Sequence, residues 1–199
     1  MKLAKQYIPW AMAALRVALG PLLILGARAN WNGAAIAGIV VTALLSDIFD
    51  GILARRWLCD TPAVRLFDSM ADTAFYLCVA VALRLSLPTV WHANLPLLLT
   101  LLGLECARFA IDFARFGKPA SYHSYLAKSW GLVMAIGVTA LFALHRSNPL
   151  IPLALLMGIA CDLEGLAISF ILPAWRRDIK TLPAAWRIRQ QWIAANFPA

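Results

Sequence analysis

Long apolar segments alternate with short polar connections along almost the whole chain. Each apolar segment has about 20 residues or more, which is the length that a helix needs to cross the hydrocarbon core of a bilayer. The connections are rich in residues that favour turns, as in the stretches 29–33 and 147–149. The pattern predicts an all-α integral membrane protein with six transmembrane helices, at 8–27, 33–57, 62–85, 95–116, 125–144 and 150–173.

The last part of the chain, residues 174–199, has a different pattern. It interleaves large apolar side chains with basic ones, and three of the apolar ones are tryptophans, Trp175, Trp186 and Trp192. Such a mixture is typical of a helix that lies in the membrane interface. We therefore expect a C-terminal amphipathic helix on the membrane surface.

The composition excludes a water-soluble domain. Of the 199 residues, 62% are hydrophobic and 14% are charged, whereas soluble domains have about 45–50% apolar and about 25% charged residues. We therefore expect one membrane domain over residues 1–199. The four cysteines are isolated from one another and from histidine, so they indicate neither a zinc site nor a disulfide framework.

The net charge of +8 comes from 18 Lys and Arg residues against 10 Asp and Glu residues. In a membrane protein this excess is expected to face anionic lipid headgroups, so membrane lipids and no nucleic acid are predicted as partners. Basic residues near span ends also indicate orientation, because they collect on the cytoplasmic side. Thirteen of them fall on the side of both termini and three on the other. Both termini are therefore predicted to be cytoplasmic. A bacterial inner membrane is a separate expectation for the location.

Four carboxylates interrupt the second and third apolar segments: Asp47, Asp50, Asp68 and Asp72. The first two are three residues apart and the last two are four apart, so each pair shares one helix face. A short cytoplasmic loop joins the two spans. We therefore expect the two faces to meet near the cytoplasmic end of the membrane.

Four ionised carboxylates in a small space of low dielectric need neutralisation. Oxygen ligands favour Mg²⁺, Mn²⁺ or Ca²⁺ over zinc, and two such ions close together are suited to holding a diphosphate. The small residues Gly51 and Ala54 leave room for a nucleotide beside the carboxylates, and Arg55 and Arg56 are suited to phosphate oxygens.

Ion pairing and ion transport are two further roles for carboxylates inside membrane spans. Arginines inside the spans could neutralise them in ion pairs, for instance Asp47 with Arg16 or Glu105 with Arg108, but the spans contain few cations for so many carboxylates. A small cation transporter is disfavoured, because the carboxylates cluster toward one membrane face and do not follow a path.

The segment Asp47-Ile-Phe-Asp50-Gly51-Ile-Leu-Ala54-Arg55, followed by Asp68-Ser-Met-Ala-Asp72, resembles the signature D-x2-D-G-x2-A-R-x8-G-x3-D-x3-D of the CDP-alcohol phosphotransferases. One position departs from it, because Val64 stands where the signature has its second glycine. This departure is compatible with an active enzyme that tolerates the substitution, with an altered donor pocket, or with a protein that binds without turnover.

The resemblance implies a reaction in which CDP-diacylglycerol loses CMP while its phosphatidyl group passes to a small alcohol, with two Mg²⁺ or Mn²⁺ ions as cofactors. It implies that the metal ligands are Asp47, Asp50, Asp68 and Asp72. Asp72 is also implied to be the catalytic base that takes the proton of the acceptor hydroxyl. The residues implied to line the CDP site are Asp47, Gly51, Ala54 and Arg55. A homodimer is a further expectation from the family.

The acceptor alcohol stays open at this stage. A phosphorylated acceptor such as glycerol 3-phosphate needs cations, for which Arg108 and Lys128 are the candidates. The short chain and the basic loop resemble those of family members that accept this compound. The sequence around Ser69, by contrast, resembles that of serine-accepting members. A neutral polyol or amino alcohol is the third option, to be recognised by Tyr122, His123 and Tyr125. Two further carboxylates, Asp162 and Glu164, are expected to pair with Arg16 or Arg108 or to face a polar cavity.

Overall fold

The computed structural model describes residues 2–57, 61–119, 122 and 124–196; the side chains of residues 2–6, 55, 62 and 65 lie outside this description. The described residues form seven α-helices and no β-strand: α1 (Lys2–Arg28), α2 (Gly33–Arg56), α3 (Pro62–Ser86), α4 (Pro88–Phe116), α5 (Tyr125–Leu144), α6 (Leu150–Ile171) and α7 (Leu182–Asn196). The predicted all-α class is therefore confirmed for this part of the chain.

Within the described residues, five helices contain a stretch that is long and apolar enough to cross a membrane, namely Tyr7–Arg28, Gly33–Ala54, Leu66–Ser86, Tyr125–Leu144 and Leu150–Ile171. Helix α4 is not among these five, and it carries Glu105, Arg108 and Asp112 in its second half. These five helices are candidate membrane spans by their length and composition. The count of six spans and the cytoplasmic termini stay predictions.

The helix ends follow local chemistry, and one of them differs from the prediction. Helix α3 begins at the predicted residue, with Pro62 in its first turn and with Thr61 as the N-cap, whose side chain accepts a hydrogen bond from the Val64 N–H. Helix α4 begins at Pro88, seven residues before the predicted start at 95. A proline read as a loop residue there is in fact the first helical one, where it loses no backbone hydrogen bond.

The chain divides into two compact units, of which the first comprises residues 1–93 and 137–148. In this unit α1 packs against both α2 and α3. The approach of α1 to α3 is close at Gly20, where a Cβ atom would lie 2.8 Å from the Sγ atom of Cys78. Only glycine fits this position without movement of the neighbouring side chain, so the backbone of α1 can approach α3 closely here.

The second unit comprises residues 94–136 and 149–199, and its core joins the C-terminal segment to α6. The buried residues of this core are Tyr122, Ile168, Leu172, Ile179 and Ala185. The predicted C-terminal helix is present from Leu182 onward, after a non-helical stretch, and Ala185 on it is fully buried. One side of α7 therefore packs on protein, while Trp186 and Trp192 are exposed.

Three of the four cysteines lie in the described part of the chain. Cys78, Cys106 and Cys161 are free thiols, and Cys59 lies outside the described residues.

Candidate metal centre

The four signature carboxylates meet in the first unit, around a side chain from α1. Asp47 and Asp50 lie one turn apart on α2, and Asp68 and Asp72 lie one turn apart on α3. Because α1 packs against both helices, the Arg16 side chain on α1 reaches both pairs. The structure thus brings together all four carboxylates that the sequence predicts to be close.

Arg16 contacts each carboxylate with one of its two terminal nitrogens. Its Nη1 lies 2.6 Å from Asp47 Oδ1 and 3.0 Å from Asp72 Oδ1. Its Nη2 lies 2.5 Å from Asp50 Oδ2 and also donates to Asp68 Oδ1. We call these five residues the Arg16 cluster.

The Arg16 cluster is buried on one side and open on the other. The side chains of Arg16 and Asp50 are 1% and 4% exposed. Asp47, Asp68 and Asp72 are between a third and a half exposed. A ligand therefore has access to three of the carboxylates without any opening of the helix packing.

The charges of the Arg16 cluster do not balance, since four carboxylates surround one guanidinium. The ion pair between Asp47 and Arg16, which the sequence offered as an alternative to metal binding, is present. Arg16 also pairs with the other three carboxylates. It nevertheless leaves three negative charges without a counter-charge within the cluster. Unbalanced charge at a partly buried site favours the binding of further cations.

The oxygen atoms of the cluster suit a hard cation. Asp47, Asp50 and Asp68 each offer one carboxylate oxygen, and these three atoms lie within 4.8 Å of one another. Two ligands of a single oxygen-bound divalent cation are at most about 4–5 Å apart, which is twice the metal–oxygen distance. The spacing and the all-oxygen donor set therefore fit Mg²⁺, Mn²⁺ or Ca²⁺.

Apart from Asp47, the residues predicted to line a nucleotide site follow Asp50 on α2. Gly51 is half-buried and Ala54 is buried. The side chain of Arg55 lies outside the described residues, and Arg56 is exposed. Val64, at the position of the second signature glycine, is 9% exposed in the first turn of α3. Its isopropyl group is thus packed against protein and does not point into solvent.

The two acceptor candidates belong to the second unit. The Nε atom of Arg108 lies 3.3 Å from Asp162 Oδ1, and the Arg108 side chain lies against Gly165. This confirms one of the expected partners of Asp162, whereas the alternative Glu105–Arg108 pair is not among the ion pairs found in the described chain. The Nζ atom of Lys128 lies 6.0 Å from the ring centre of Tyr125. His123, one of the residues considered for a neutral acceptor, lies outside the described residues.

A buried hydroxyl network in the second unit was not predicted from the sequence. Ser169 Oγ donates to Asp112 Oδ1 and lies 2.8 Å from the Tyr122 hydroxyl. Burial raises the pKa of Tyr122, with a smaller opposing effect from the hydrogen bond to Ser169, so the phenol stays protonated at neutral pH. The signal in the sequence was Asp112, an acidic residue inside an apolar segment.

The comparisons with known proteins agree with the signature. The sequence model of the CDP-alcohol phosphatidyltransferase family matches residues 6–172. A curated protein of Pectobacterium atrosepticum named CDP-diacylglycerol–glycerol-3-phosphate 3-phosphatidyltransferase is 34% identical over 143 residues, which are 69% of this chain and 75% of that protein. The protein of the same name from Escherichia coli K12 is 33% identical over 131 residues, or 62% of this chain and 66% of its own length. No solved structure matches the chain. The family match confirms the predicted resemblance and the predicted class of transferase.

Proposed function

Because the chain belongs to the CDP-alcohol phosphatidyltransferase family, we propose that it transfers the phosphatidyl group of CDP-diacylglycerol to glycerol 3-phosphate and releases CMP. The observation that carries this proposal is the convergence of all four signature aspartates in the Arg16 cluster. Glycerol 3-phosphate is preferred over serine because the relatives from P. atrosepticum and E. coli carry it in their names.

We propose Asp47, Asp50, Asp68 and Asp72 as ligands of two divalent metal ions, Mg²⁺ or Mn²⁺. The support is the close spacing of one oxygen each from Asp47, Asp50 and Asp68. Asp72 is included because it contacts the same Arg16 nitrogen as Asp47. Bound metal ions would neutralise the diphosphate of the donor and stabilise the charge that develops at phosphorus. Gly51 and Ala54 carry little or no side chain on the same helix, so the cytidine moiety is proposed to lie against them. Arg55 is proposed to belong to the same CDP site, because a guanidinium is suited to phosphate oxygens.

Asp72 is proposed as the general base. Its side chain is 37% exposed, so an acceptor hydroxyl has access to it. In the proposed step the hydroxyl oxygen forms a bond to the phosphorus of the phosphatidyl group, and the bond from that phosphorus to CMP breaks. The hydroxyl proton passes to the Asp72 carboxylate and the leaving electron pair stays on CMP.

Arg108 and Lys128 are proposed to bind the phosphate of glycerol 3-phosphate. A phosphate needs cationic donors, and a guanidinium is well suited because it presents several N–H groups in one plane. Asp162 lies beside the Nε edge of Arg108 and would fix the orientation of its guanidinium.

We further propose that the active site faces the cytoplasm at the bacterial inner membrane, because the basic residues collect on that side of the predicted spans.

A membrane protein that binds the donor without turnover is the second candidate function. The observation that favours it is Val64, whose side chain is buried where the family signature has no side chain at all. An isopropyl group in such a place displaces either the helix or the ligand. Turnover by the wild-type chain decides between the two candidates.

The proposed function is tested by CMP release from CDP-diacylglycerol in nanodiscs that contain the purified chain. The acceptors to compare are glycerol 3-phosphate, serine, inositol, inositol phosphate and choline, each with Mg²⁺, Mn²⁺ or EDTA. We expect release with glycerol 3-phosphate and a metal, its loss in EDTA, and its loss in Asp68→Asn. Asp178→Asn is the matched control, since Asp178 is an exposed residue outside the helices. Metal binding without CMP release for any acceptor would favour the second candidate.

A further inference from the structure

Arg16 has the environment of a bound cation inside the carboxylate site. It is 1% exposed and is the largest of the fully buried side chains. A guanidinium has five N–H donors, of which four belong to the two terminal nitrogens. These two nitrogens contact four carboxylates, two each. The Nε atom has no hydrogen-bond partner in the described part of the chain, so the only polar partners shown for this side chain are the four aspartates.

The same carboxylates are the proposed metal ligands. Arg16 therefore holds oxygen atoms that a divalent ion needs. A guanidinium and a divalent cation within about 4 Å of each other repel, since both are positive and the guanidinium is buried. Simultaneous occupation of the centre of the cluster by both is unfavourable, and one has to give way.

We propose that Arg16 is an internal counter-cation that divalent metal ions displace from the four aspartates, and that it thereby sets the metal affinity of the site. The proposal rests on the proposed metal-dependent function. Arg16 would hold the carboxylates of α2 and α3 together when metal is scarce, because four unpaired carboxylates at this spacing repel one another. The site would therefore bind metal less tightly than the same four carboxylates would without Arg16.

A different role would have the opposite consequence. If Arg16 stayed in place and oriented the carboxylates as metal ligands, its removal would weaken metal binding, as the loss of such supporting residues does elsewhere. A purely structural Arg16 would change stability and leave metal affinity unaltered. The sign of the change in affinity therefore separates the three roles.

The test is Mn²⁺ binding to the purified full-length chain in nanodiscs, followed by the EPR signal of free Mn²⁺. We expect Arg16→Gln to bind Mn²⁺ at least about tenfold more tightly than the wild type, because one positive charge is removed from the site. In EDTA the variant should unfold at a lower temperature than the wild type, and Mn²⁺ should restore more of its stability. Arg84→Gln is the control, since Arg84 is an exposed arginine in the last turn of α3, and it should behave as the wild type.

Arg16→Lys covers the case in which Arg16→Gln fails to fold. An ammonium group keeps the charge but contacts fewer carboxylates at one time, so Mn²⁺ affinity should rise by a smaller factor than in Arg16→Gln. Equal or weaker Mn²⁺ binding by the folded variants would overturn the proposal and leave the proposed function standing. Absence of Mn²⁺ binding by the wild type would instead overturn the metal site and both proposals with it.

Discussion

The role of Asp72 gives the sharpest prediction, because its loss should remove activity while the fold persists. Asp72→Asn keeps the shape of the side chain and removes its charge and its basicity. The contact from Arg16 Nη1 to Asp72, at 3.0 Å, is the longest of the four in the Arg16 cluster. Arg16 still has Asp47, Asp50 and Asp68 as partners after the change.

The expected magnitudes are well separated. Asp72 is more than a third exposed, and Arg16 keeps three carboxylate partners when this contact is lost. We therefore expect a stability cost of about 1 kcal/mol or less, near the range of exposed ion pairs. Loss of a general base lowers the rate by roughly 10²–10⁴-fold, which corresponds to about 3–5 kcal/mol in the activation free energy. We therefore expect kcat for CMP release to fall at least about a hundredfold with a nearly unchanged unfolding temperature.

The assay measures CMP release and thermal unfolding on the same nanodisc preparation, with Asp178→Asn as a control that removes a carboxylate from an exposed non-helical position. Asp50→Asn is an informative contrast, since Asp50 is 4% exposed and its change should lower both activity and stability. Retention of more than about a tenth of the wild-type kcat in Asp72→Asn would refute the assignment of this residue as the base, because the loss would fall below the range of a base catalyst.

Three further changes test other features of the molecule. Val64→Gly should lower stability by about 1–3 kcal/mol, through a lost buried side chain and poorer helix propensity, with CMP release of the same order as the wild type; a large gain in kcat would instead show that Val64 obstructs the donor site. Ser169→Ala should cost about 1–3 kcal/mol in thermal unfolding, because Ser169 joins two buried polar groups, and an unchanged unfolding temperature would contradict this role. In a chain without native cysteines, an impermeant maleimide should label Asn32→Cys only from the periplasm and Asp178→Cys only from the cytoplasm; the reverse labelling would overturn the predicted orientation.

The helices were predictable because their apolar runs are long and their ends carry strong local signals. Thr61 and Pro62 mark the start of α3 by capping and by a proline in the first turn. Pro88 carries the same signal for α4, but it follows Leu87 so closely that the two helices leave almost no loop to recognise. The non-helical stretch before α7 was missed, since Asp178 adopts a left-handed backbone conformation that its residue type does not reveal.

The four carboxylates of the site were predictable from the sequence, but of the contacts of Arg16 only its pair with Asp47 was anticipated. Spacing alone places Asp47 with Asp50 and Asp68 with Asp72 on shared helix faces. The convergence of both pairs on Arg16 depends on α1 packing against two helices, and this is a tertiary arrangement to which no local pattern in α1 points. Counting cations in the spans indicated too few for neutralisation by ion pairs. Among the described side chains, a single guanidinium nevertheless pairs with all four carboxylates.

The central claim is phosphatidyl transfer to glycerol 3-phosphate, and its most direct measurement follows the acceptor and not only the leaving group. Nanodiscs with CDP-diacylglycerol, Mg²⁺ and isotope-labelled glycerol 3-phosphate are extracted with organic solvent, and label in the lipid phase is compared with CMP in the aqueous phase. We expect one labelled lipid for each CMP released, and neither product in EDTA. CMP without labelled lipid would show hydrolysis, and the absence of both products with Mg²⁺ present would show that the chain does not catalyse this transfer.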